Sequence, residues 1–444
     1  MENLIIVNGF ERFLFFYEKI GCYINMKEIS KFLLKTIKQN FPKNKNQSSQ
    51  TISNVPFEFS KGLKHFIKTI NKKIIEGERE YNKIKKDIQK NNIIGGNYFD
   101  SSASISEASG LHRSKNLPKS SDYHYIPQNI RDNLENSHTQ IAKYKFSIHS
   151  QEILLHIVYP FSEKQSMQMI SPKKIQTFFE ACLHKIYLWL FVASFNRQNH
   201  CSQQLQINLY LTDKDKVLPE FKKIIEEEDV NTAFTTSCEP SAVINIYREE
   251  EWFKVFIHES FHCFGFDFSH DNELTHFSQQ EIKKIFPLDI EVLLYETYCE
   301  VNADILNVIF ITHFNNGNEN LVYDLLYWES VFSCFQCIKV LQYHKIKFEQ
   351  LFQKGIDYKE NTNVFCYFIL KAIIMMNLSG YFEWFYKENR GSLNFLRTRN
   401  NMSHFIKLLD SYDIEKIKKM ELWFSNNISR KDLLMKTMRM TLIE

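Results

Sequence analysis

The chain has 444 residues, of which 44% are apolar and 15% aromatic, with only 12 Gly and 9 Pro. That composition allows two or three domains with a sizeable core, excludes disorder throughout, and favours helices over a turn-rich β architecture. A formal net charge of +3, from 55 basic and 52 acidic residues spread along the chain, leaves no electrostatic footprint for nucleic acid.

The first residues, MENLIIVNGFERFLFF, carry Glu2 and Glu11 and no small-residue cleavage site, so they do not read as a signal peptide. Residues 1–38 place apolar and basic positions at helical spacing, a polar break follows at 41–54, and an amphipathic, heavily charged helix spans about 57–91. Its Lys-rich stretch near 72–90 reads as a solvated helix face. Residues 1–91 are therefore expected to form an N-terminal helical appendage, and residues 92–140, rich at first in Ser, Gly and Asn, a flexible linker.

The texture changes near residue 141. KYKFSIHSQEILLHIVYP predicts two strands joined by a turn, and a long apolar helix follows at about 173–195. QLQINLYLTD (204–213) and SAVINIYR (241–248) are further strands, the second just ahead of FKVFIHESFHCFGFDF (253–268). From 284 onward the pattern is helical. The expected fold is α+β, mainly α, with a sheet and motif helix in 141–283 and a helical lobe in 284–444. The most apolar runs, 186–195 and 368–378, fall short of the roughly 18–20 residues a membrane span needs, so none is expected. Nine cysteines are scattered without framework spacing, and Cys334 and Cys337 form a lone CxxC in an apolar run. Buried free thiols in a reducing compartment are expected. No Gly-rich phosphate loop and no GxSxG occur, which leaves nucleotide-binding and α/β-hydrolase readings without support.

In HESFH, His258 and His262 are four residues apart. On a helix such positions share a face, so both imidazoles can meet one tetrahedral ion, and Glu259 can reach a water bound to it. Acidic residues in REEEW suit the positive end of a helix that starts there, and Gly265 suits its C-terminal stop. The uncharged Phe256, Ile257, Ser260 and Phe261 fit a buried helix. A core helix with hydrogen-bonded histidines has the same pattern, and both readings stand at this point. A third ligand six residues after His262 would be Phe268, with Asp267 and His270 out of register. Further on, LLYETYCEVNADILNVIF (293–310) places Glu296, Glu300 and Asp304 at successive turns of one face. Three carboxylates on an otherwise apolar helix are costly to bury unless paired or bound to metal.

HESFH with EVNAD resembles the gluzincin group of zinc metallopeptidases. The stretch INIYREEEWFKVFIHESFH is also similar to uncharacterised metallopeptidase-like proteins of large DNA viruses, over about residues 140–310. The resemblance implies a zincin-like core, a small mixed sheet beside the HExxH helix with the helical lobe closing the cleft. It implies one Zn2+ per chain on His258, His262 and Glu300, Glu259 as general base, and Asp304 as the outer carboxylate that orients a ligand histidine. Glu296 and Glu300 are interchangeable as ligand and outer carboxylate by spacing, and the Ala-Asp after Glu300 points to Glu300. The expected activity is hydrolysis of a polypeptide substrate by a metal-activated water. QLQINLYL or SAVINIYR would align that substrate by strand addition. Tyr295, Tyr298, His270, His276 and His313 are available to an oxyanion, with none assigned, and Cys263 and Cys299 are expected to be plain core thiols. The alternative is a zinc-binding, non-proteolytic structural or virion-associated protein that retains the fold. The compartment implied is intracellular, in host cytoplasm or a virion, and the oligomeric state is not legible.

Overall fold

The computed structural model describes residues 60–90, 117–161, 172–221, 223–410, 414–427 and 433–444. Expectations for residues 1–59 and for the 92–116 part of the linker lie outside the described residues.

Helix α1 (Lys61–Lys90) carries Leu63, Phe66, Ile67, Ile70, Ile74, Tyr81 and Ile88 on one stripe, and all are buried in the principal core. Such a stripe is stable only against a partner. It finds one in the body of the molecule: Phe66 packs on the rings of Phe382 and Phe385, and Tyr81 on Tyr187. This corrects the expectation of a separate appendage for residues 61–90. A second correction concerns the linker. A 3-10 turn (Ser121–Tyr125) and α2 (Gln128–Asn136) bury Leu117, Tyr123, Ile126, Ile130 and Leu134 against Val158, Tyr210 and Tyr247 of the sheet region. The turn-like composition of this stretch concealed an apolar set spaced for packing.

The sheet holds β1 (His138–Ile148), β2 (Gln151–Phe161), β3 (Gln204–Tyr210), β4 (Ala233–Thr235) and β5 (Ser241–Ile246) in the order β1-β2-β3-β5-β4. Strands β2, β3 and β5 run parallel in the centre, while β1 and β4 are antiparallel edges. The parallel step from β2 to β3 needs a crossover, supplied by α3 (Pro172–Ser194). Leu155, Ile207 and Ile244 pair across the three central strands, and the neighbouring register pairs His156, Asn208 and Asn245. Those polar residues bond to one another: Asn208 Oδ1 lies 2.9 Å from His156 Nδ1, and Asn208 Nδ2 donates to Asn245 Oδ1 at 2.9 Å.

After the short α4 (Glu227–Val230) come α5 (Trp252–Cys263), α6 (Asn272–Ile285), α7 (Leu294–Phe314) and α8 (Glu319–Tyr343). A π-helical turn (Phe365–Leu370) runs into α9 (Lys371–Met376), followed by α10 (Leu378–Lys387), α11 (Arg399–Asp410), α12 (Ile414–Asn427) and α13 (Leu433–Lys436). The described residues are thus mainly helical with one small mixed sheet, as expected. Helix α5 is buried at every position and α7 from Glu296 to Thr312, so each is enclosed by the core rather than laid on it. Phe261 of α5 stacks on Trp189 of α3 and meets Tyr298 of α7 edge-on. The acidic run ahead of α5 does not form its first turn. Glu251 precedes the helix with φ of 61°, and its carboxylate is buried against Lys216 and the backbone N–H groups of Met440 and Thr441.

Among the described residues no single helix is long and apolar enough to cross a membrane. Cys334 and Cys337 are buried thiols outside any disulfide, as expected, whereas Cys201 and Cys238 are bridged, a pairing that spacing did not reveal.

Candidate metal centre

The site is built where the start of α7 crosses the last turns of α5. His258 and His262 share a face of α5, and their Nε2 atoms are 3.1 Å apart. Glu296, in the first turn of α7, brings Oε2 to 3.1 Å from His258 Nε2 and 3.5 Å from His262 Nε2. A tetrahedral ion with bonds of about 2.0–2.1 Å needs donors about 3.3 Å apart. The three donors therefore stand at the separations of one face of such a tetrahedron, with side chains 6% to 11% exposed.

Each imidazole is held from behind. Asp267 Oδ2 lies 2.5 Å from His262 Nδ1, while Asp267 Oδ1 accepts from the N–H and hydroxyl of Ser269. Glu300 Oε1 lies 2.9 Å from His258 Nδ1, a charge contact rather than an aligned hydrogen bond. With both Nδ1 atoms turned to carboxylates, the two Nε2 lone pairs and the Glu296 oxygen converge on one point. Three acceptors so close together need a shared cation or protons between them.

Glu300 and Asp304 were expected as third ligand and outer carboxylate, and the geometry corrects both positions. Glu300 faces the far nitrogen of His258 and is clamped by Lys254, with Lys371 Nζ at 3.5 Å. Asp304 pairs with Lys371 at 2.8 Å and approaches neither histidine closely enough for an ion pair. The reason is the helical rise: Glu296, Glu300 and Asp304 share a face, but each lies about 6 Å deeper along α7 than the one before. Only Glu296 is level with the Nε2 pair. Asp267, set aside as out of register, supplies the carboxylate behind His262, because Gly265 at φ +70° turns the chain back towards the helix end.

Burial alone would lower both histidine pKa values, but neighbouring carboxylates win. Glu296 and Glu300 raise His258, and Glu296 and Asp267 hold His262 well above its ordinary value. Burial pushes Glu296 up, yet the two imidazoles bring it down to about 2. Glu300 is held well below the carboxylate range by Lys254, Lys371 and His258 against its burial. Glu259 is different: burial raises its carboxyl, and no hydrogen-bond or ion-pair partner of it occurs among the described residues. It is one residue from His258, and the field of both histidines acts on it against the burial.

The cluster is short of positive charge. Glu259, Glu296, Glu300, Asp304 and Asp267 face Lys254 and Lys371, with Arg397 bonded to the Asp267 carbonyl. Two protonated imidazoles, or one divalent cation between neutral ones, would balance it.

The remaining candidates separate. Tyr298 donates to the Leu393 carbonyl, His276 contacts Gln280, and His313 pairs with Glu78, so none of the three is turned to the site. His270 is exposed, and the Tyr295 ring stands 5.9 Å from that of His262. Tyr367, which spacing could not single out, comes closest to the other imidazole: its ring is 6.1 Å from that of His258. It sits on the π-helical turn, a local irregularity that re-aims side chains. Cys299 Sγ lies 3.8 Å from His262 Nδ1, on the Asp267 side and away from the Nε2 triangle, and burial keeps it a thiol. Strands β3 and β5 are both internal, which corrects the expected substrate edge: the free edge beside α5 belongs to β4.

No family model, curated protein or solved structure matches the chain.

Proposed function

We propose that the chain is a zinc-dependent peptidase whose ion is held by His258, His262 and Glu296. The carrying observation is the triangle of donors at 3.1, 3.1 and 3.5 Å, backed by carboxylates on both far ring nitrogens and flanked by an unpartnered buried Glu259. The residues present fit the ion in number, type, spacing and charge. Zinc bound there would polarise a substrate carbonyl and bring the pKa of a coordinated water to about 7.

The chain's own residues do the rest. Asp267 and Glu300 fix the ring orientation and the tautomer of the two histidines, leaving Nε2 as the ligand atom of each. Lys254 and Lys371 keep Glu300 ionised and in place. Glu259, raised by burial toward neutrality, takes the proton of the attacking water and returns it to the leaving amine. Tyr367, whose hydroxyl meets the Asn363 side chain, is a candidate to donate to an oxygen that gains charge. An extended peptide laid along β4 would run antiparallel or parallel to it within reach of α5.

The test has two parts. Elemental analysis should find about one zinc per parent chain at the site, lost in His258→Ala/His262→Ala. The Glu259→Gln variant should keep that zinc and lose hydrolysis of a peptide library by about 100-fold or more. Zinc bound without hydrolysis in the parent would favour a non-proteolytic zinc protein. Equal turnover in Glu259→Gln and parent would sink the mechanism.

A further inference from the structure

We propose that His200, Cys201 and Cys238 form a second metal site, one that takes zinc when the Cys201–Cys238 bridge is reduced. The inference is independent of the catalytic reading above. His200 Nε2 lies 3.3 Å from Cys238 Sγ, and the three donor atoms fall within 4.8 Å of one another. His200 is exposed and Cys238 half-buried, so a reductant and an ion can reach the pair, while Cys201 is buried beneath it. Two thiolates and an imidazole are a donor set that selects zinc, and two thiolates neutralise a dication. A bridge with a purely structural role has no need of an imidazole on its sulfur.

The backbone around the two cysteines is fixed by contacts that involve neither sulfur. Cys238 N–H donates to the His262 carbonyl at 3.1 Å, and Cys201 N–H to that of Gln198 at 3.0 Å. Ser202 N–H donates to the Glu239 carbonyl at 2.6 Å, and Ser202 Oγ–H to that of Cys263 at 2.6 Å. These bonds hold Ser202 and Cys238 at φ of 49° and 48°, a left-handed conformation unusual for side-chain-bearing residues. Opening the S–S bond therefore leaves both thiols facing each other and His200. Reduction by a phosphine breaks that bond, places the two protons of a water on the sulfurs and its oxygen on phosphorus. Zinc then displaces the thiol protons. Bridge and ion are mutually exclusive occupants of one place, and the Cys238–His262 hydrogen bond ties that place to the end of α5.

The full chain is compared oxidised and after phosphine reduction, with bound zinc counted by elemental analysis after dialysis. Cobalt is then substituted as a probe of thiolate ligation, read from its charge-transfer absorption in the near ultraviolet. The reduced chain should hold one more zinc than the oxidised one and show the thiolate band with cobalt. Both gains should vanish in Cys201→Ser/Cys238→Ser and persist in His258→Ala/His262→Ala, so failure here and failure of the catalytic site are separately visible. His200→Ala, at an exposed position that leaves the core untouched, should weaken the added zinc by at least about tenfold. If the serine variant does not fold, that alanine variant decides alone. Equal zinc in both redox states, or a thiolate band indifferent to His200→Ala, would overturn the proposal.

Discussion

Exchanging a single atom in each of two carboxylates, Glu296→Gln and Glu300→Gln, separates ligand from support. Glu296 faces the two imidazoles, which can shed a proton when their counter-charge is removed, so Glu296→Gln should lower apo-protein stability less than Glu300→Gln does. Its loss leaves two protein ligands, and zinc affinity should fall by more than about 100-fold, or roughly 2.7 kcal/mol. Glu300 faces Lys254 and Lys371, whose side chains are 1% exposed. An uncompensated buried charge costs about 3–5 kcal/mol, and the lower end applies here because Asp304 still pairs with Lys371 at 2.8 Å. That is a large share of a total stability of about 5–15 kcal/mol. Zinc affinity in Glu300→Gln should fall only about 10- to 100-fold, through the loosened His258 ring. Denaturant unfolding of the apo-proteins and chelator competition for zinc measure both quantities. If Glu300→Gln loses zinc outright while Glu296→Gln keeps it, the level of α7 against α5 described above is wrong.

Asp267→Asn should keep zinc stoichiometry at saturation but weaken affinity about 10- to 100-fold, since the amide presents its donor to His262 Nδ1 as readily as its acceptor. Chelator competition reads this. Gly265→Ala should destabilise by about 1–2 kcal/mol from its φ of +70°, and more if the new Cβ, 3.0 Å from Cys201 Sγ, cannot be accommodated. An unchanged denaturation midpoint would show that the turn relaxes. Glu78 bridges His184 and His313 and its carboxyl is brought from 4.5 to about 2 by those histidines against burial. A depressed folded-state pKa gives stability that is present above the unfolded value and lost as pH falls from about 4.5 through 2. After allowance for solvent screening this is worth about 1–2 kcal/mol, so Glu78→Gln should flatten the acid limb of the stability curve between pH 5 and 2 by that amount. Parallel acid limbs would refute it.

Local pattern was enough for much of the molecule. The strands at 138–161, 204–210 and 241–246 follow from period-two apolar residues, and α5 and α7 from their apolar spacing. A spacing of four puts His258 and His262 on one face whatever surrounds them, because that depends only on helical geometry. It equally puts Glu296, Glu300 and Asp304 on one face, and there its information ends. Which of three carboxylates is level with the imidazoles depends on how far α7 slides along α5, set by contacts such as Phe253 on Phe310 and Phe261 on Tyr298. Nothing within either segment encodes that offset. Asp267 and Tyr367 have the same character, reaching the histidines only because a left-handed Gly265 and a π-helical turn re-aim the chain. Helix α1 was legible as amphipathic, but not as part of the core, since an apolar stripe states that a partner exists without naming it. Periodicity fixes faces within an element; depth and partnership come from packing between elements distant in the chain.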